Sequence, residues 1–132
     1  MSALSVEYLD SLTKDILAAV FEVSNTLGSG FLERVYQRAL LRELRMRGRA
    51  VRTEVSYPVL YKGECVGEYF ADLVVEQAVV VELKCAEKLS GEHMAQCMNY
   101  LHASGLTVCL LVNFRHPKVE WKRVVQGFAN AH

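Results

Sequence analysis

Ala71-Asp72-Leu73-Val74-Val75-Glu76-Gln77-Ala78-Val79-Val80-Val81-Glu82-Leu83-Lys84 consists of two valine-rich runs divided by a short polar break. Period-two alternation and β-branched content predict two antiparallel strands, and Glu76-Gln77-Ala78 suits a three-residue hairpin loop closed by Val75 and Val79. Continuing that register sets Asp72 opposite Glu82. Residues two apart on a strand share a face, so Glu82 and Lys84 project together while Val81 and Leu83 project oppositely.

Upstream, Val6, Leu9, Leu12, Ile16, Val20, Val23 and Leu27 recur at steps of three and four, an amphipathic helix ended by Gly28-Ser29-Gly30. A second helix is expected from near Phe31. Leu32, Tyr36, Ala39, Leu40 and Leu44 supply its apolar face, and Gly48 lets the chain leave in a left-handed turn. Residues 51–61 and 66–76 read as strands joined across Tyr61-Lys62-Gly63-Glu64, with 78–85 the third. Downstream, Ser90 is placed to cap a helix through Met94, Cys97, Met98 and Leu101 that stops at Gly105. Residues 106–114 are almost continuously apolar, the mark of a buried central strand, and 119–125 read as a last edge strand. The order ααβββαβ(β) is an α/β layer fold, a helical hairpin leading into a mixed central sheet.

A chain of 132 residues is expected to form one domain, 1–132, since a single core serves chains up to ~250 residues. With 52% hydrophobic and 23% charged residues, it can bury enough apolar surface to exclude a disordered protein. Fifteen basic against fifteen acidic residues remove any general pull on polyanions. Apolar stretches fall short of the ~20 residues of a membrane span. The N-terminus carries Glu7 and Asp10 where a signal peptide would carry lysines, so a cytoplasmic protein with no membrane partner is expected. Cys65, Cys85, Cys97 and Cys109 include no C-x-x-C pair and read as buried thiols, while His102, His116 and His132 show no paired ligand spacing.

Two carboxylates meeting across neighbouring strands beside a lysine form an oxygen-rich cavity suited to a hard cation such as Mg²⁺. The ammonium adds no ligand; its use would be to hold or deprotonate a water and to offset charge building on a phosphodiester. The same alternation also belongs to any sheet with one wet face, where Asp72, Glu82 and Lys84 would be a solvated ion network contributing ~1 kcal/mol or less.

Gly30-Phe31-Leu32-Glu33-Arg34-Val35-Tyr36 resembles the G-x-x-E-x-x-Y signature of the GxxExxY protein family. Tyr61-Lys62-Gly63, Ala71-Asp72-Leu73-Val74-Val75-Glu76, Val81-Glu82-Leu83-Lys84, His93-Met94-Ala95-Gln96, Asn99-Tyr100-Leu101, Leu111-Val112-Asn113-Phe114 and Lys122-Arg123-Val124-Val125 follow in the order of that family's blocks. The resemblance covers residues 5–126. That family is similar to the PD-(D/E)XK nuclease superfamily, which implies a restriction-endonuclease-like αβββαβ core. It implies Asp72 and Glu82 as metal ligands, Lys84 as the catalytic lysine, and Glu33 as the helix carboxylate that completes the metal site, directly or through water. Gln96 and Tyr100 match the Q-x-x-x-Y element of the RecB-like branch, and their spacing puts both on one helical face with His93. Ala71 stands where the superfamily's namesake proline precedes the first acid. Mg²⁺, with Mn²⁺ as the alternative, is the implied cofactor, and DNA the implied substrate, with RNA left open.

Some of these residues also have a purely structural use. Tyr36 and Tyr100 fit as core aromatics whose hydroxyls need a buried partner, for which Glu33 is a candidate, and His93 as a surface or orienting histidine. Arg34, Arg38, Arg42, Arg45 and Arg49 fall within one stripe of the second helix, either a solvated face or a phosphate-contacting surface. Arg34, Arg38 and Arg42 are the candidate nucleic-acid contacts. Zero net charge hides segregation: residues 1–33 hold one base and five acids, 34–53 seven and one, 54–92 three and eight, and 93–132 four and one. These observations point to a Mg²⁺-dependent nuclease that binds DNA through salt-sensitive patches. The alternatives are a catalytically inactive nucleic-acid-binding or protein-assembly module that retains the fold, and a homodimer that uses the long apolar stripe of the first helix.

Overall fold

A computed structural model describes residues 4–127, so His132 lies outside the described residues. The first helix, α1 (Val6–Leu27), starts where the Ser5 hydroxyl accepts the Tyr8 N–H at 3.0 Å. It buries Leu9, Leu12, Ile16, Ala19, Val20 and Val23. Val6 belongs to the same periodic stripe but is exposed, because it sits in the first turn, ahead of Leu9, where the helix meets the core. The core takes the stripe from Leu9 to Val23.

The second helix, α2 (Glu33–Met46), begins two residues later than Phe31. Leu32 is its extended N-cap and is 78% exposed, not part of the apolar face. The Tyr36 hydroxyl donates to the Gly28 carbonyl at 2.6 Å and accepts the Phe31 N–H at 3.3 Å, tying down the interhelical loop. Its partners are therefore main-chain groups, not Glu33. The Tyr36 ring stacks on Phe114 with centroids 4.6 Å apart and planes 6° apart, which docks α2 on the sheet. Gly48, at φ 82°, ends the helix as expected: its N–H reaches Arg45 O at 3.0 Å and the Arg49 N–H reaches Leu44 O at 3.0 Å. Arg49 thus lies beyond the helix and leaves the predicted stripe.

Strands β1 (Val51–Tyr61), β2 (Glu64–Val75), β3 (Val79–Lys84), β4 (Val108–Asn113) and β5 (Glu120–Val125) form one mixed sheet in the order β1-β2-β3-β4-β5. Helix α3 (Gly91–Ser104) carries the crossover between the parallel neighbours β3 and β4, and the other pairings are antiparallel. Val75 pairs with Val79 as the hairpin reading requires, and every residue of β4 is buried. Helices α1 and α2 cover one face, over Leu73, Val75, Val79, Val81, Leu110 and Val112. Helix α3 covers the other, over Ala71, Val74, Val80, Cys109 and Leu111.

Cys97 and Cys109 are buried in that second layer, but Cys65 is exposed and Cys85 half-buried. The β1–β2 ribbon runs well past the three-residue pairing of β2 with β3, so Cys65 has no layer over it. Among the described residues no helix is long and apolar enough to cross a membrane.

Asp15 of α1 joins this helix to the end of α2, accepting Arg49 Nε at 2.8 Å and Arg47 Nη1 at 3.2 Å. The Arg49 hydrogen bond, then Arg47, hold its carboxyl below the ordinary range against partial burial. Stability from a lowered folded-state pKa is complete above the unfolded value of about 4 and is lost as the pH falls through the folded value. Asp15→Asn is expected to cost about 1 kcal/mol or less at neutral pH and to flatten the acid limb of Tm against pH. An unchanged acid limb would contradict the bridge. Tyr36→Phe, which orphans the Gly28 carbonyl and Phe31 N–H, is expected to cost about 1–2 kcal/mol in urea unfolding; unaltered stability would show that the loop stands without it.

Candidate active site

The backbone ladder between β2 and β3 stops at the Leu73–Val81 rung. Beyond it two side chains replace the main chain. Glu82 Oε1 accepts the Asp72 N–H at 2.9 Å, and Asp72 Oδ2 accepts the Leu83 N–H at 2.9 Å. The predicted Asp72–Glu82 juxtaposition is therefore present, and each carboxylate is oriented by the other strand's backbone. Glu82 is only 2% exposed, whereas Asp72 and Lys84 are half-buried. On α3, Gln96 Oε1 accepts Lys84 Nζ at 3.1 Å, so the lysine is aimed from the helix opposite.

Crowded carboxylates in a partly dry site resist ionisation. Burial, and then the Asp72 charge, push the Glu82 carboxyl up to about 8, with the Asp72 N–H and Lys84 opposing. Burial likewise raises Asp72, opposed by the Leu83 N–H and Lys84. Glu33, the first residue of α2, is exposed as a residue, yet the partly buried surroundings of its carboxyl and then Asp72 raise it too; Lys84 and the Cys85 backbone lower it. Three acids thus share a region in which Lys84 is the principal cation.

Among the described residues no three His, Cys, Asp or Glu side chains are gathered closely enough to hold a metal alone. A hard cation does not require three. Mg²⁺ keeps several waters and is commonly held by one or two carboxylates plus substrate phosphates. The Asp72–Glu82 oxygen pair has donors of that type, and burial raises both carboxyls, a cost that a bound cation would offset.

Tyr100 is buried, and its hydroxyl donates to the Phe70 carbonyl at 3.0 Å, two residues before Asp72. Burial, then Glu82 and Asp72, push its phenol far above the ordinary range, so it stays protonated. His93 closes a capping box with Ser90 at the start of α3, accepting the Ser90 N–H through Nδ1 at 3.1 Å. That is the orienting use, one turn before Gln96.

Three further residues shape the site: Gln37 and Glu54, for which the sequence carries no signal, and Asn113, which stands in one of the resembling blocks but had no role assigned to it. Gln37 Nε2 donates to the Asp72 carbonyl at 3.1 Å, which pins β2 at that residue. Asn113, at the end of β4, donates to the Ala86 carbonyl at 2.8 Å and accepts the Ala86 N–H at 3.0 Å, holding the loop that follows Lys84. Glu54 falls between the Thr53–Leu73 and Val55–Ala71 rungs, across from Asp72, at φ 49°. A non-glycine residue held there is strained, and such strain concentrates at functional sites.

The arginine group divides. Arg47 and Arg49 are bound to Asp15, Glu43 and Glu76, and Arg45 donates to the Val51 carbonyl. Arg34, Arg38 and Arg42 are exposed and make no ion pair among the described residues. Arg34 and Arg38 line a cleft of ≈ 290 Å³ with Gln37, Thr53 and Glu54, beside the Asp72 strand.

Comparison with solved structures returns the same architecture. The protein SSO0001 aligns with TM-score 0.54 at 20% identity over 92% of this chain, which spans 61% of that protein's length. An alkaline exonuclease, LHK-Exo from Laribacter hongkongensis, aligns with TM-score 0.53 at 14% identity over 98% of this chain and 75% of its own. At such identities the likeness shows the fold. No curated protein matches the sequence significantly. The family model of the PD-(D/E)XK nuclease superfamily matches residues 10–124, nearly the whole sheet and its three helices. The chain belongs to the PD-(D/E)XK nuclease superfamily.

Proposed function

We propose that this protein is a divalent-metal-dependent nuclease that hydrolyses DNA phosphodiester bonds with Mg²⁺. The observation that carries this reading is the reciprocal Asp72–Glu82 rung, with Lys84 held beside it by Gln96. Asp72 and Glu82 would hold the ion, and Glu33 at the start of α2 would complete its shell directly or through water. When bound, the ion supplies Lewis-acid polarisation of a phosphoryl oxygen. Lys84 contributes a positioned ammonium that orients the attacking water and offsets charge on the phosphoryl group. Gln96 keeps that ammonium from swinging to solvent. Tyr100 works as a positioning residue through the Phe70 carbonyl, because its hydroxyl is already committed to β2.

DNA suits the surface beside the site. Arg34, Arg38 and Arg42 are free to meet phosphates along one side of α2, close to the strand that carries Asp72.

Cleavage of single-stranded, duplex and branched DNA with Mg²⁺ or Mn²⁺ tests the proposal. Lys84→Ala and Asp72→Ala are each expected to lower the rate by about 10²–10³-fold; wild-type rates in either variant would sink it. Arg38→Gln is expected to weaken DNA binding and to reduce the slope of log affinity against log salt by about 1, whereas Arg47→Gln leaves that slope unchanged. Equal slopes would remove α2 from the binding surface.

The site also predicts a cost to the metal-free fold. An acid whose folded-state pKa is raised from 4.5 to about 8 keeps its proton longer in the folded state, so stability falls as pH rises across that interval. Glu82→Gln retains an oxygen to accept the Asp72 N–H but cannot ionise. In chelator, its Tm should exceed wild type at pH 8 and converge with it near pH 4.5, while cleavage is lost. A variant less stable at pH 8 would refute this account of the site's electrostatics.

A further inference from the structure

Exposed aromatic rings adjoin the carboxylate site in two places. Phe31, 48% exposed, and the exposed Leu32 lead into α2 directly before Glu33. The Cys85 thiol approaches the Phe31 carbonyl at 4.0 Å, so this segment stands beside the end of β3 that carries Lys84. The Phe31 ring makes a T-shaped contact with Tyr36, with centroids 6.1 Å apart and planes at 74°, and Tyr36 is itself stacked on Phe114. The ring is therefore held in one orientation while half of the residue meets solvent.

On β2, Phe70 precedes Asp72 by two residues and is 55% exposed. Its neighbours Tyr69 and Ala71 both belong to the α3 layer, and strand side chains alternate, so Phe70 points to the α2 side of the sheet. Helix α2 reaches β2 at Asp72, through Gln37, and leaves Phe70 uncovered. From behind, the Tyr100 hydroxyl fixes the Phe70 carbonyl at 3.0 Å. This second ring thus stands on anchored backbone.

On the same side, Arg34 and Arg38 open onto the cleft they share with Thr53 and Glu54, and neither makes an ion pair among the described residues. Guanidinium groups that can take phosphates are thereby combined with flat rings that can take bases, the means by which proteins hold unpaired strands. Glu54 and Glu68 put negative charge on the β1–β2 ribbon, so phosphates belong along α2 and bases toward the rings. A duplex would satisfy the arginines but keeps its base faces stacked inside, and would leave both rings in water.

We infer that the surface around the carboxylate site takes single-stranded DNA, with Phe31 and Phe70 stacking on unpaired bases while Arg34 and Arg38 hold the phosphates. The inference rests on the proposed nuclease reading and names the substrate of that site. The two phenylalanines set specificity and carry no group for the reaction itself.

Fluorescence anisotropy with the full-length protein in chelator separates stacking from cleavage. The probes are labelled oligothymidylate of about 16 nucleotides, an abasic strand of the same length, and the corresponding blunt duplex. The abasic strand keeps every phosphate and lacks every base. Oligothymidylate is expected to bind about tenfold more tightly than the abasic strand, and more tightly than the duplex. Phe70→Leu keeps the apolar bulk but removes the flat face; it should weaken oligothymidylate binding about tenfold and leave abasic affinity unchanged. Phe31→Leu gives a second, independent loss should the leucine disturb β2. Equal affinity for the thymidylate and abasic strands, duplex bound as tightly as single strand, or full affinity in both variants overturns the inference. So does self-association that Phe70→Leu abolishes, which would assign the surface to a second copy of the chain. The base preference without any Mg²⁺-dependent cleavage would count against the nuclease reading and support the stacking surface, whereas cleavage without a base preference would do the reverse.

Discussion

Where β2 parts from β3, two carboxylates take over the ladder, and the geometry of the candidate site hangs on that exchange. Each acid accepts a backbone N–H from the other strand, so neither main-chain donor is left unpaired at the point of divergence. The strands can therefore separate without an unsatisfied edge. Past that point Lys84 meets Gln96 of α3, and the Asp72 carbonyl meets Gln37 of α2. The same two bonds that close the hairpin thus orient the acids.

Glu82 is buried, so the arrangement is not a freely solvated ion network. A surface cluster would leave its carboxyls near their ordinary values, whereas burial pushes Glu82 up to about 8 and also raises Asp72 and Glu33. Around it the layers are well buried: β4 is buried along its length and Tyr36 stacks on Phe114 in the α1–α2 layer. A well-packed core holds unfavourable charges together that would otherwise relax apart. The Gln37 bond to the Asp72 carbonyl and the Asn113 clamp on the loop after Lys84 serve the same end, fixing backbone on either side of the acids.

Much of this was legible in the residues. Alternating valines around Glu76-Gln77 set the hairpin register to within the pairing observed, and Ser90 and Gly105 bracketed α3 because caps act within a single turn. Less legible were features whose partner lies far along the chain. Leu32 fits the period of α2 yet is solvent-exposed, because the loop from Gly28 is held extended by a hydroxyl eight residues away. Cys65 resembles the other thiols in its neighbours but sits on a ribbon that outruns its sheet. The five arginines look equivalent by spacing. Only partners outside α2 separate the bound from the free: Asp15 and Glu76 hold Arg49, and the Val51 carbonyl holds Arg45.

The sequence by itself determined the element order, the hairpin register and the pairing of Asp72 with Glu82 beside Lys84. These follow from periodicity and turn length, which are local properties of the backbone. Only the layers in place show which helix side chains reach that pair, that the Tyr100 hydroxyl donates to the Phe70 carbonyl of β2, and that Glu54 is held in a left-handed conformation. Those outcomes depend on how layers stack, and stacking joins residues through packing and solvent exclusion that no local pattern encodes.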